Sequence, residues 1–463
     1  MKKLTKTKKK LIAFFCITLI VGVILILAAV KYFSVEGKIS LGGFLRAETF
    51  YLIVIFLACI PILLAALLVA VISNKIKRSE GKTARVTAET QLPIVSASDT
   101  PTDTKERFGM LSEIDRRSGS YGHEHYDSGI TLESFCNDFR NYMSNELKLY
   151  YDIEDVRRFV AGLAVSKIVI LQGISGTGKT SLAHAFGSFI DNASTVIPVQ
   201  PMWKERTDLV GYYNEFTKRF NETLLLQKMY EANYSKDMYV TVLDEMNIAR
   251  VEYYFAEFLS LLELPDQAKT YLEVVSDKWE SDPKQFKEGR IKLPENMWFI
   301  GTANNDDSTF AISDKVYDRA MILDLNKKSE RFAAPKTGKR IISAKQFYEL
   351  KERAIKEYGV SRRNMKRLVE LDRYLIDHFH ITFGNRIMKQ ITEYVPVYVA
   401  CGGEELAALD DIMSKKVIRK LETQNPIYLR NSAEGLTAFI DELFGVDRMP
   451  LCKEYIRRIY ENA

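Results

Sequence analysis

Residues 173–180 read GISGTGKT, and this spacing of glycines, a lysine and a hydroxyl, Gly-x4-Gly-Lys-Thr, is a phosphate-binding loop pattern. Gly173, Ser175, Gly176, Thr177, Gly178, Lys179, Thr180 and Ser181 form the candidate loop. The glycines let the backbone N–H groups approach a phosphate, Lys179 carries the charge for its β and γ oxygens, and the Thr180 hydroxyl is a ligand for Mg²⁺. A second cluster follows in YVTVLDEMN, where Asp244 ends an apolar run and Glu245 stands next to it, 65 residues beyond Lys179. Such a pair is common as a solvated turn. Downstream of a phosphate loop it has a chemical reading: Asp244 holds Mg²⁺, usually through its waters, and Glu245 polarises the water that attacks the γ-phosphate. A third apolar run, in WFIGTANN, ends at Asn304, a polar side chain placed to orient that water.

These residues need a rigid frame. Residues 168–172 read as a buried strand running into the loop, and SLAHAFGSFI after it has the apolar spacing of a helix, so the loop lies at a helix N-terminus where the dipole favours negative charge. Further β-prone runs at 195–199, 239–243, 297–301 and 320–325 are separated by helix-like or irregular stretches. Five strands alternating with helices predict an α/β fold with a five-stranded parallel sheet covered on both faces. Amphipathic helices are expected at 131–147 and 155–163, ahead of the first strand, and residues 327–463 carry mainly helical patterns.

Before residue 131 the chain has a different character. Residues 11–30 and 51–73 are apolar runs of 20 and 23 residues, each long enough for a membrane helix, although Pro61 interrupts the second. Lysines crowd the first ten residues, and Lys75, Lys77, Arg78, Lys82 and Arg85 follow the second run, so both ends of the predicted hairpin are expected on the cytoplasmic side of the inner membrane. Residues 81–130 shift to Ser, Thr, Asp, Glu and Gly and read as a flexible linker, with Phe108, Met110, Leu111 and Ile114 as apolar exceptions at helical spacing. His123 and His125 lack a further ligand set and read as a solvated loop.

The formal charge of +5 is exceeded by the six lysines of the first ten residues, so residues 11–463 sum to −1. That excludes a global nucleic-acid footprint and leaves nucleic acid possible only through a local patch such as Arg362, Arg363, Lys366 and Arg367, which reads first as a solvated helix face. Cys16, Cys59, Cys136, Cys401 and Cys452 show no paired spacing and read as reduced thiols.

Taken in order, GISGTGKTSL, VQPMWKERTDLVGYYNE, VLDEMNIARVEYYFAEFLSLLE, FIGTANNDDSTFAISDKVYDRA and ITFGNRI resemble the AAA+ ATPases, over roughly residues 130 to 430. The resemblance is to the branch containing the McrB-type GTPase subunits of modified-cytosine restriction systems and the MoxR-type chaperone ATPases. It implies a core over 131–326 and a helical lid over 327–463, behind the hairpin of 1–80. Asn304 takes the sensor-1 position, Arg319 the place of the arginine that reaches a neighbour's nucleotide, and Arg386 that of a lid arginine near the γ-phosphate. The segment 265–295 resembles the insertions that such proteins place before sensor 1. McrB-type subunits typically carry a run of arginines where this chain has the single arginine of DRA; their sensor segment also differs from TANNDD, so their GTP preference does not carry over and ATP is expected over GTP, with Mg²⁺. Two functions follow: a ring, expected as a hexamer, that remodels a protein client at the membrane, or an assembly subunit that recruits a separate nuclease effector.

Overall fold

The computed structural model describes residues 106–264, 270–304, 309–424 and 426–462. The apolar runs at 11–30 and 51–73 lie outside these residues, and among the described residues no helix is long and apolar enough to cross a membrane.

The strands among them are β1 (Ile168–Gly173), β2 (Thr195–Pro198), β3 (Gly211–Asn214), β4 (Arg219–Glu222), β5 (Tyr239–Asp244), β6 (Tyr271–Glu273), β7 (Arg290–Lys292), β8 (Met297–Asn304) and β9 (Met321–Asp324). Five of them form one parallel sheet in the order β2-β5-β8-β1-β9, at the places the apolar runs predict. Neither antiparallel hairpin, β3–β4 or β6–β7, was legible as strands, because their residues are short and mostly polar. Side chains alternate across a strand. Val169, Leu171, Val240, Val242, Trp298 and Ile300 therefore enter one core, while Ile168, Ile170, Tyr239, Leu243, Met297 and Phe299 enter another. Unbroken apolar runs thus create two buried faces, and each must be covered by helices.

The expected linker does not extend to residue 130, since residues 106–117 pack into the second core. α1 (Gly109–Arg116) buries Leu111 and Ile114, with Phe108 fully buried just before it. The Glu222 carboxylate accepts the N–H groups of Met110 and Leu111 at 3.0 and 2.7 Å, satisfying helix donors that have no partner within the helix. Arg107 is 1% exposed and is held by Asp277 and Asp282, at 2.7 Å each. Such partners lie more than a hundred residues away in sequence, so composition alone reads the segment as polar linker. His123 likewise sits between Asp237 and Asp191, at 3.0 and 3.3 Å.

On the first face lie α2 (Leu132–Glu146), α3 (Ile153–Val165) and α4 (Lys179–Phe189). α2 starts at Thr131, whose hydroxyl accepts from Ser134 N–H while the Ser134 side chain accepts from Thr131 N–H. Phe135 and Phe139 of α2 meet Phe186 and Phe189 of α4 with ring centroids 5.1–6.2 Å apart. Each such buried ring contributes about 1.5–3 kcal/mol, so α4 and the loop that starts it are held firmly against the sheet. The second face carries α5 (Arg206–Val210), α6 (Leu224–Ala232), α7 (Val251–Tyr254), α8 (Ala256–Leu261) and α9 (Asp314–Tyr317).

After β9 the chain is helical, as expected: α10 (Ala344–Glu357), α11 (Arg362–Phe379), α12 (Gly384–Ala400), α13 (Glu405–Lys416), a short 3-10 helix (Ile418–Thr423), α14 (Pro426–Phe444) and α15 (Pro450–Asn462). Leu368, Leu371, Leu375 and Phe379 line one face of α11 at three- and four-residue spacing and join the first core. Arg362, Arg363 and Lys366 on the same helix are exposed. Cys136, Cys401 and Cys452 are buried free thiols.

Candidate active site

β1 ends at Gly173, and the chain turns through residues 174–178 into α4, so the loop joins a strand's C-terminal end to a helix N-terminus. Gly173, Gly176 and Gly178 have φ of 139°, 80° and 94°, a region that L side chains rarely adopt. At two of them contact excludes a side chain as well. A Cβ on Gly173 would lie 2.4 Å from the Leu325 carbonyl oxygen, and one on Gly178 would lie 2.6 Å from the Tyr151 hydroxyl. That hydroxyl donates to the Gly178 carbonyl at 2.8 Å, and burial pushes its pKa up, so it remains a donor. The Lys179 amine lies within the loop, donating to the carbonyls of Gly173 and Ile174 at 2.9 Å each.

Sheet order brings the distant acids here. The register pairs Leu243 with Gly301 and Gly173 with Asn304, so the ends of β5, β8 and β1 lie side by side. Asp244 Oδ1 accepts from the Thr180 hydroxyl at 2.7 Å and from the Thr302 hydroxyl at 2.8 Å, and Thr302 Oγ1 accepts the Glu245 N–H at 2.9 Å. One hydroxyl, 2% exposed, thereby fixes both acids. Glu245 has φ 53° and ψ 47°. A left-handed conformation at a non-glycine residue costs about 1–3 kcal/mol, and here it turns the Glu245 backbone out of the strand line at the end of β5. Asn247, 5% exposed, donates to the Asn304 carbonyl at 2.9 Å and to Thr309 Oγ1 at 3.0 Å, tying the turn after β5 to the end of β8.

The structure therefore brings Lys179, Thr180, Asp244, Glu245 and Asn304 to the same end of the sheet. It adds Tyr151, Thr302 and Asn247. Thr302 was findable, because it lies two residues before Asn304 in the same strand and so shares its face. Tyr151 and Asn247 carry no local signal. A hydroxyl and a carboxylate 2.7 Å apart are an all-oxygen pair that suits a hard divalent cation. Among the described residues no group of three or more His, Cys, Asp or Glu could hold a metal. A cation at Thr180 and Asp244 would therefore complete its shell with oxygens of a bound phosphate or water.

Arg319 and Arg386 lie elsewhere. The Arg319 carbonyl accepts from the hydroxyl of Ser166, just before β1, whereas the loop starts at the other end of that six-residue strand, about 20 Å away at 3.3 Å per residue. Arg319 Nη2 pairs with Glu263 at 2.7 Å, and Arg386 Nη2 pairs with the other oxygen of the same carboxylate at 2.6 Å. Both line a cleft of about 630 Å³ together with Lys167, Trp298 and Gln390. α12 carries Arg386, the candidate lid arginine, to the far end of the sheet, beside Arg319 and away from the loop of the same chain. Asp314 and Asp318, the local partners available to Arg319 in sequence, are engaged instead by Arg419 at 2.5 Å and Lys420 at 3.4 Å.

Residues 168–320 match the family described as AAA domain (dynein-related subfamily). Among solved structures, the chain is similar to a candidate ATPase from Cytophaga hutchinsonii, at 12% identity and a TM-score of 0.36, over 75% of this chain and 96% of that one. It is also similar to a full-length MCM homologue from Methanopyrus kandleri, at 10% identity and a TM-score of 0.32, over 67% of this chain and 59% of that one. None of the curated proteins matches it. The phosphate loop, the paired acids and the polar strand end, joined on one sheet edge, all fall within the residues 168–320 that match an AAA domain of the dynein-related type.

Proposed function

We propose that this chain is an ATPase of the McrB-type or MoxR-type branch, working as a ring and tethered to the inner membrane by residues 1–80. The carrying observation is the separation of parts: Lys179, Thr180, Asp244, Glu245 and Asn304 gather at one end of the sheet, while Arg319 and Arg386 share Glu263 at the other. Arginines so placed serve a second subunit's nucleotide. Thr180 and Asp244 would hold Mg²⁺, which offsets charge on the phosphate oxygens when bound. Lys179 then meets the terminal phosphates, Glu245 takes the proton of the attacking water, and Asn304 orients it. ATP is favoured over GTP by the difference from McrB-type subunits at TANNDD.

The cycle is read as remodelling a protein client; recruitment of a nuclease is the alternative. Capture on Glu245→Gln protein in ATP separates them. A substoichiometric, sequence-diverse set of proteins is the expected catch, and a single stoichiometric nuclease would replace the client reading with the assembly one. The tether rests on the two apolar runs and their flanking lysines. In intact cells an impermeant thiol reagent should label Ser40→Cys and spare Ser96→Cys, and the reverse pattern overturns the topology.

A further inference from the structure

We propose that the helical lid positions Arg319 for the neighbouring subunit, through a clamp formed by Lys416, Arg419 and Lys420. The inference rests on the reading of Arg319 as acting in trans.

Arg319 stands two residues beyond a helix of only four residues, α9. A helix that short has little stability of its own, since nucleation is not repaid within one turn. Its position must come from outside contacts. At the end of α13, Lys416 is 2% exposed and donates to the carbonyl of Tyr317 at 2.6 Å and to that of Ala320, so its amine spans the backbone on both sides of Arg319. Burial pushes this amine down to about 7, with Asp318 opposing, and either protonation state keeps the two donors that the carbonyls use. Arg419, 7% exposed, binds Asp314 at the start of α9 at 2.5 Å and lies 4.0 Å from the centre of the Tyr317 ring. Lys420 pairs with Asp318 at 3.4 Å, and Gln390 of α12 donates to the Asp318 carbonyl at 3.1 Å.

Every one of these donors belongs to the lid, and every acceptor lies in 314–320. The first residue, the last turn and the segment just past α9 are each gripped, so a displacement of α13 carries the Arg319 backbone with it. Lys416 is a positioning residue: it touches no phosphate, and it acts through the arginine it holds.

The test uses full-length protein and mixed assemblies. Lys416→Met should lower ATP turnover at least tenfold while leaving the affinity for a fluorescent ATP analogue within twofold of the parent. Mixed with Lys179→Ala subunits it should regain turnover, because an intact phosphate loop then meets a correctly held arginine. Mixed with Arg319→Ala subunits it should not. Arg419→Met and Lys420→Ala should show the same pattern, and they decide the matter if Lys416→Met fails to fold. Parent-like turnover in these variants, rescue by Arg319→Ala, or failure of rescue by Lys179→Ala overturns the clamp. If Arg319→Ala and Lys179→Ala do not complement each other, the trans reading itself has failed and the clamp falls with it.

Discussion

Arg319→Ala protein will hydrolyse ATP about 10³-fold or more slowly than the parent, and will recover turnover when mixed with Lys179→Ala subunits that are themselves inactive. The magnitude is that of an arginine supplied to the transition state of phosphoryl transfer, where its guanidinium meets charge developing on the transferred group. Geometry decides where that charge can be. Arg319 is anchored beside Ser166 at the start of β1, and its own loop begins at the far end of the strand, the separation that the proposed action in trans requires. In a mixed ring one type of interface pairs the intact loop of an Arg319→Ala subunit with the intact arginine of a Lys179→Ala subunit. Arg386 shares Glu263 with Arg319, so Arg386→Ala belongs to the same complementation group. Mixed assemblies of verified composition that stay silent, or a monomer with full turnover, would refute action in trans.

Glu245→Gln will bind ATP with near-parental affinity and turn it over at least about a hundredfold more slowly, whereas Lys179→Ala will lose the nucleotide. The contrast follows from the two positions. Lys179 lies inside the loop, and without its amine the terminal phosphates lose their nearest counter-charge. Glu245 follows Asp244 in a left-handed turn, with its N–H held by Thr302, and lies outside the loop of residues 173–180. Replacing its carboxylate by an amide preserves shape and removes the base. Binding measured with a fluorescent analogue and turnover measured by phosphate release separate the two effects. Parent-like turnover of Glu245→Gln would transfer the base to another residue.

Much of this site was legible in one dimension because its parts are local. A glycine loop works through its own backbone N–H groups, and an acid or amide at the end of an apolar run is at a strand's end whichever strands flank it. Residues 173–180, Asp244, Glu245 and Asn304 were therefore readable by type and spacing, as were the five buried strands and the helical character after residue 326. The hairpins β3–β4 and β6–β7 escaped because polar residues at strand spacing look like loop; in 106–117 the helical spacing of Phe108, Leu111 and Ile114 was legible, but not the distant partners they pack against, such as Phe220 and Phe286 for Phe108.

What the sequence by itself determined is the set of candidate residues, since the phosphate binding, metal ligation and water activation proposed for them depend on residue type and immediate neighbours. The tertiary structure alone decided which residues act together. That Thr302 ties Asp244 to Glu245, that Arg386 stands with Arg319 and away from Lys179, and that Lys416 holds the backbone around Arg319 all depend on contacts between residues 56 to 123 positions apart. Such contacts are set by sheet order and helix packing, where the free energy of burying two apolar faces selects one arrangement of the whole chain, and no local stretch carries that information.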